Sequence, residues 1–220
     1  MTNILAPSIL AADIMRLGEQ IEAVHKAGAE YLHIDVMDGV FVPSLSYGVC
    51  VVESIRKSCD MVLDVHLMIV EPDRYVEAFA RAGADIITVH LEACDDVRDT
   101  LELIHSHGCR AGLSIKPKTP VEDIEKYLDQ IDLLLIMSVE PGFGGQKYFP
   151  ESTQRIAQAR ELIDRQDHPI DLEVDGGITL ENVREVLLAG ANVIVSGSTV
   201  FHGSEADMAS LMKSLRECER

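Results

Sequence analysis

A single (β/α)₈ barrel domain, an α/β fold spanning 1–220, is the architecture the sequence predicts, and three observations predict it. Apolar, strand-like runs alternate strictly with helix-like stretches, the signature of a parallel sheet. Ala27-Gly28-Ala29-Glu30, Ala82-Gly83-Ala84-Asp85 and Ala189-Gly190-Ala191-Asn192 are near-copies, each following a helix-like stretch and preceding an apolar run. Their glycines are spaced by 55 and 107 residues. Those intervals are two and four units of roughly 27 residues, about one strand, one helix and their loops. Eight such units fill 220 residues with no linker or shift in composition between them. Eight units favour a closed barrel over an open, doubly wound sheet.

The first strand is placed at Leu5–Ile9 and its helix at Ile14–Ala27. Gly28 then takes the position just past the helix end, where a left-handed conformation is needed. Tyr31–Val36 is an apolar run that stops at the turn signal Asp38-Gly39, and so reads as a buried strand entering a loop. Helix Val49–Ser58 leads to strand Met61–Leu67, and helix Pro72–Ala82 to strand Ile86–His90. Helix Val97–His107 precedes strand Arg110–Ile115, and helix Val121–Gln130 precedes strand Leu133–Ser138. Pro72 and Pro120 sit near helix starts, where a missing N–H costs little. Leu133-Leu134-Leu135-Ile136-Met137 is continuously apolar, as a strand covered on both faces is expected to be. Helix Ser152–Arg165, strand Ile170–Val174, helix Leu180–Ala189, strand Val193–Val195 and helix Ala206–Glu217 complete the eight units.

Composition bounds the function. A hydrophobic content of 47% supplies a large core, and a formal charge of −18 argues against a nucleic-acid groove or an anionic membrane as partner. A small phosphorylated substrate stays open, because backbone N–H groups can bind phosphate locally. Five scattered cysteines without a C-x-x-C read as reduced thiols. With no signal-peptide pattern and no bilayer-length apolar run, a cytoplasmic protein is expected.

In barrels of this kind, active residues lie where strands end and the loops to the helices begin. In a strand, alternate residues share a face, so His33, Asp35 and Met37 point one way and Leu32, Ile34 and Val36 the other. Asp64-Val65-His66 repeats the histidine–carboxylate pattern one unit later, and Glu173-Val174-Asp175 supplies a further carboxylate at a strand end. Ser8 ends the first strand. Two histidines and two carboxylates on one rim suit a divalent metal, with Zn²⁺ or Fe²⁺ favoured by imidazole and Mn²⁺ or Co²⁺ as alternatives. A hydrogen-bonded rim without metal is the competing reading, and His90, at another strand end, reads as a satisfied polar rim residue.

Three glycine-rich stretches follow adjacent strands: Pro141-Gly142-Phe143-Gly144-Gly145, Asp175-Gly176-Gly177 and Ser196-Gly197-Ser198-Thr199. Loops seven and eight, with a short extra helix, form the recurrent phosphate site of this architecture. Glycine lets the backbone approach an anion with its N–H groups inward. Met37, Met68 and Met137 sit on the same rim, as core filler or as a water-poor, polarizable cap over a reactive intermediate.

The chain resembles the ribulose-phosphate 3-epimerase family over essentially its whole length. The resemblance is carried by Ala6-Pro7-Ser8-Ile9-Leu10, His33-Ile34-Asp35-Val36-Met37-Asp38-Gly39 with Phe41-Val42-Pro43, and His66-Leu67-Met68. It continues through Val139-Glu140-Pro141-Gly142-Phe143-Gly144-Gly145-Gln146, Glu173-Val174-Asp175-Gly176-Gly177-Ile178 and Ser196-Gly197-Ser198. It implies interconversion of D-ribulose 5-phosphate and D-xylulose 5-phosphate in the pentose phosphate and Calvin pathways, without an organic cofactor. By the same resemblance His33, Asp35, His66 and Asp175 bind the metal, and Asp35 and Asp175 are the paired acid/base groups. Ser8, His66 and Asp175 contact substrate. Gly142, Phe143, Gly144 and Gly145, with Gly176, Gly177, Gly197 and Ser198, hold it chiefly by its phosphate. A homo-oligomer is expected. Ser44 departs from the Asn common in the family, in a loop that leaves the metal and acid/base positions untouched.

Three alternatives remain at this level. A 3-epimerase of a hexulose phosphate such as allulose 6-phosphate would look similar, but tends to depart from Gly144-Gly145 and Gly176-Gly177. A lyase-type phosphate barrel resembling orotidine-phosphate decarboxylase or hexulose-phosphate synthase carries Asp-x-Lys where this chain has Asp64-Val65-His66. A sugar-phosphate-binding sensor on the same scaffold is disfavoured by intact Asp35 and Asp175.

Overall fold

The computed structural model describes residues 2–218, so the ends of the predicted 1–220 domain lie outside the described range. Eight parallel strands alternate with helices in a nearly closed barrel. In chain order they are β1 (Ile4–Pro7), α1 (Leu17–Lys26), β2 (Tyr31–Met37), α2 (Val49–Arg56), β3 (Val62–Met68), α3 (Asp73–Ala82), β4 (Ile86–His90) and α4 (Val97–Ser106). There follow β5 (Arg110–Ile115), a 3₁₀ helix (Val121–Gln130), β6 (Leu133–Met137), α5 (Ser152–Ile163), β7 (Asp171–Asp175), α6 (Val183–Ala189), β8 (Val193–Ser196), α7 (Ser198–Phe201) and α8 (Glu205–Glu217). From β2 to β8 each strand pairs with the next in sequence, and β8 returns to β1. The seam between β1 and β2 is joined by a single parallel bridge, Ser8 to His33, which brings the end of the first strand beside the centre of the second.

The alternation read in β2 holds. Leu32, Ile34 and Val36 face the large core between sheet and helices, together with Leu63, Val65, Leu67, Ile87 and Val89. The inner face differs in chemistry from the outer. Ala6, Leu133, Leu135, Val193 and Val195 form an apolar cluster inside the barrel. His33, Asp35, Asp64, His66, Thr88, His90, Ser114 and Glu173 are buried beside it. Burying a polar group costs roughly 1–3 kcal/mol unless it finds partners, so such a filling is poor material for stability alone. The register shows how the groups meet: His33 lies opposite Asp64, Asp35 opposite His66, and Met37 opposite Met68.

Gly28, Gly83 and Gly190 all have positive φ, as the repeated Ala-Gly-Ala motif requires. Three helices differ from expectation. The stretch expected to be one helix from Ile14 opens with a 3₁₀ turn, Ile14–Arg16, because the Asp13 carboxylate accepts the Met15 N–H at 3.0 Å before α1 begins. Residues Val121–Gln130 wind as 3₁₀ helix, with Val121 and Ile124 buried one 3₁₀ turn apart. The expected start at Leu180 moves to Val183, because Asn182 closes a turn of its own. Its Oδ1 accepts the Thr179 N–H at 2.8 Å and its Nδ2 donates to the Gly177 carbonyl at 2.9 Å. Among the described residues no helix is long and apolar enough to cross a membrane.

Candidate metal and acid–base site

The strands deliver Ser8, His33, Asp35, His66 and Asp175 to one end of the barrel, where Asp35 is the hub. Its Oδ2 accepts the Ser8 hydroxyl at 2.7 Å. Its Oδ1 lies 3.1 Å from Nδ1 of His66 and 3.3 Å from Nε2 of His33. His33, Asp35, His66 and Asp175 each offer one ligand atom, and these four atoms lie within 4.8 Å of one another.

Whether this set suits a cation is decided by His33. Its Nδ1 is 2.6 Å from Asp64 Oδ2, a short contact that fixes the ring with N–H towards the carboxylate. Nε2, on the far side of the ring, is buried and without a hydrogen-bond partner, 3.3 Å from Asp35 Oδ1. Burial works against a charged His33, yet Asp35 and then Asp64 outweigh it and push its pKa well above the ordinary imidazole value. The pocket favours positive charge at this point, from a proton or from a metal ion. Two imidazole nitrogens and two carboxylates fit a divalent transition metal.

The same field separates the two aspartates. Burial would raise Asp35, but positive charge at His33 and the two imidazoles facing its Oδ1 hold it well below the usual carboxylate range. Asp175 moves the other way, raised to about 6 by burial and then by the Asp35 charge. Two carboxylates driven apart in this manner are equipped to serve one as base and the other as acid.

Above these groups opens a mouth of roughly 620 Å³, part of it open solvent. Ser8, Asp35 and Asp175 line it, Met37, Met68 and Met137 form its apolar side, and the three glycine-rich loops complete its wall. All the residues expected to touch substrate therefore meet in one cavity, except His66. His66 and His33 are fully buried behind Asp35 and do not line the cavity, a placement that suits ligation of a metal. Phe143, at the tip of the sixth loop, is 56% exposed. Gly177 is required by crowding: at φ +67°, a Cβ there would lie 2.3 Å from the Tyr148 backbone nitrogen.

Reading the sequence passed over part of the buried layer. Asp64 and Glu173 lie two residues before His66 and Asp175, on the same strand faces, and that parity was the available signal. Glu173 is raised well above the usual carboxylate range by burial and then by Asp64. His90, expected at the rim, is fully buried, and burial pushes its pKa down to about 4.

A family model described as the ribulose-phosphate 3 epimerase family matches residues 4–201. The chain is 48% identical over 206 residues to a ribulose-phosphate 3-epimerase of Bacillus subtilis, covering 93% of this chain and 95% of that one. It is 51% identical over 201 residues to one of Synechocystis, covering 90% and 87%. Among solved structures, a Streptococcus mutans protein titled KGPDC superposes with a TM-score of 0.73 over 100% of both chains at 12% identity, a likeness of fold.

Proposed function

This chain belongs to the ribulose-phosphate 3-epimerase family and is an isomerase, and from that premise we propose that it inverts carbon 3 of D-ribulose 5-phosphate by two-base proton transfer, giving D-xylulose 5-phosphate. The observation that carries the mechanism is the opposed protonation of Asp35 and Asp175 at one cavity. Inverting a carbon beside a ketone requires loss of its proton and return of one to the opposite face, through an enediolate. The ionised carboxylate removes the proton and the protonated one supplies its replacement; in the reverse direction the roles exchange. β2 and β7 are three strands apart around the barrel, so the two side chains reach a substrate from different sides.

His33, His66, Asp35 and Asp175 would hold a divalent metal, with Zn²⁺ or Fe²⁺ favoured and Mn²⁺ or Co²⁺ as alternatives. When bound, that ion supplies Lewis-acid stabilisation of the negative charge developing on the substrate oxygens. Ser8 orients Asp35, the glycine-rich loops receive the phosphate, and the three methionines keep water from the reacting carbon. The same reading includes a homo-oligomer in the cytosol. Exposed Ile14, Met15, Val40 and Leu45 support self-association, and five free cysteines suit a reducing compartment.

Epimerase assays on D-ribulose 5-phosphate and D-allulose 6-phosphate, before and after chelation, test this function. We expect a higher kcat/KM on the pentulose phosphate and loss of turnover on chelation. Comparable or better kcat/KM on the hexulose phosphate would overturn the substrate, and binding without turnover would make the chain a sensor.

A further inference from the structure

His66 has a second buried neighbour. Its Nε2 lies 2.9 Å from Nε2 of His90, and both rings are wholly inside the barrel. A hydrogen bond between two imidazole nitrogens carries one proton, so one ring donates and the other accepts. Glu92 decides which. Its Oε2 stands 3.3 Å from His90 Nδ1. Its Oε1 accepts the Lys116 backbone N–H at 2.8 Å and the Thr119 hydroxyl. These donors hold Glu92 as an acceptor, and an acceptor beside His90 Nδ1 requires N–H there. Neutral His90 is then left with its lone pair on Nε2, so His66 must supply the shared proton from its own Nε2. The lone pair of His66 then falls on Nδ1, the atom 3.1 Å from Asp35 Oδ1, and a cation held between the two, as proposed above, relieves the repulsion that this pairing would otherwise carry. The opposite choice would set a lone pair of His90 against the Glu92 carboxylate. Phe41 packs across His90 with ring centroids 4.9 Å apart, restraining the ring plane.

We propose that His90 and Glu92 are positioning residues that fix the Nε2–H form of His66 and so aim its Nδ1 lone pair at the position of a divalent metal ion. The inference rests on His66 being a ligand, as proposed above. It pairs with the arrangement at His33, where Asp64 does the same work through the other ring nitrogen. Hydrogen-bond partners of ligating histidines typically matter about 10–100-fold in metal affinity.

The test uses the metal-stripped full chain titrated with Co²⁺, reading dissociation constant and ligand field from the visible absorption. His90→Leu, which removes the acceptor, should weaken Co²⁺ binding about 10–100-fold and alter the spectrum. His90→Gln, whose side-chain carbonyl can accept from His66 Nε2–H, should restore most of the affinity. Independently of any variant, ¹⁵N–¹H correlation on the wild-type protein should find the His66 proton on Nε2. Unchanged affinity and spectrum in His90→Leu, or a His66 proton on Nδ1, overturns the proposal. His66→Ala separates the two claims: if it binds Co²⁺ as well as wild type, the ligand assignment fails and this inference with it. If it loses Co²⁺ while His90→Leu does not, only the positioning role fails. Should His90→Leu not fold, the wild-type proton position decides.

Discussion

Ser8 and Asp35 meet across the seam of the barrel, the hydroxyl donating to Oδ2 at 2.7 Å while Oδ1 of the same carboxylate faces both histidines. The two oxygens of Asp35 therefore have separate tasks, and Ser8 governs only one. Hydrogen bonds to a charged group are worth about 1.5–3 kcal/mol. Ser8→Ala should accordingly lower kcat/KM about 10–100-fold while leaving metal content at the wild-type level. Steady-state kinetics with metal analysis of the same samples checks this, and loss of metal in Ser8→Ala would show that the division of labour is wrong.

The metal assignment predicts a joint loss. His33→Ala and His66→Ala should each reduce bound metal and turnover together, because each removes one of four converging ligand atoms. Elemental analysis beside an epimerase assay makes the comparison. Full activity in a rigorously metal-free preparation would remove the Lewis acid from the account.

Gly177 and Gly145 separate crowding from backbone conformation. Both have positive φ, but a Cβ at Gly145 meets nothing within 4 Å, whereas one at Gly177 would press on the Tyr148 backbone. Gly145→Ala should cost about 1–2 kcal/mol of stability. Gly177→Ala should add the roughly 1–3 kcal/mol of an overpacked site and distort the neighbouring loop. Urea unfolding of the two variants should rank them in that order; equal stability would mean that the loop around Tyr148 yields freely.

Acid stability should depend on Glu92. Burial raises this carboxyl, but hydrogen bonds from His90, Thr119 and the Lys116 N–H overcome it and bring its pKa to about 2. A carboxylate whose pKa is lower in the folded than in the unfolded chain stabilises the fold above the unfolded value, near 4.5. That contribution is lost as pH falls from there towards about 2. Glu92→Gln should thus melt below wild type at pH 6, with the gap shrinking below pH 4. A gap independent of pH would assign the effect to packing.

Much of this is legible in the sequence. The repeated Ala-Gly-Ala motif and the strand–helix alternation predicted the barrel, and period-two alternation put His33 and Asp35 on its inner face. Strand ends were placed to within a residue or two, since apolar runs stop where burial stops. What escaped was depth and partnership across strands. Alternation says which face His90 occupies but not that it sinks beside His66, because that contact depends on the stagger of β3 against β4. Asp64 and Glu173 were visible in the sequence, yet their meeting at His33 joins residues from β2, β3 and β7. The 3₁₀ winding of Val121–Gln130 and the late start of α6 likewise depend on local hydrogen bonds rather than on hydrophobic period.

The two-base reading of Asp35 and Asp175 makes the most exacting prediction. General acid/base groups typically contribute about 10²–10⁴-fold, and here both half-steps need one. Asp35→Asn and Asp175→Asn should therefore each lower kcat by at least about 10²-fold. Both should also lower bound metal, since each aspartate offers one of the four converging ligand atoms. The isotope experiment isolates the geometry from the magnitude. Asp175 reaches the solvent-facing mouth, so its proton exchanges with water between turnovers. With D-ribulose 5-phosphate in D₂O under initial-rate conditions, product should carry deuterium at carbon 3, because the donating carboxyl exchanged before the substrate arrived. A single base serving both faces would return the hydrogen it had just removed. Substantial retention of the original hydrogen in the xylulose product would falsify the two-base assignment while leaving the epimerase activity itself intact.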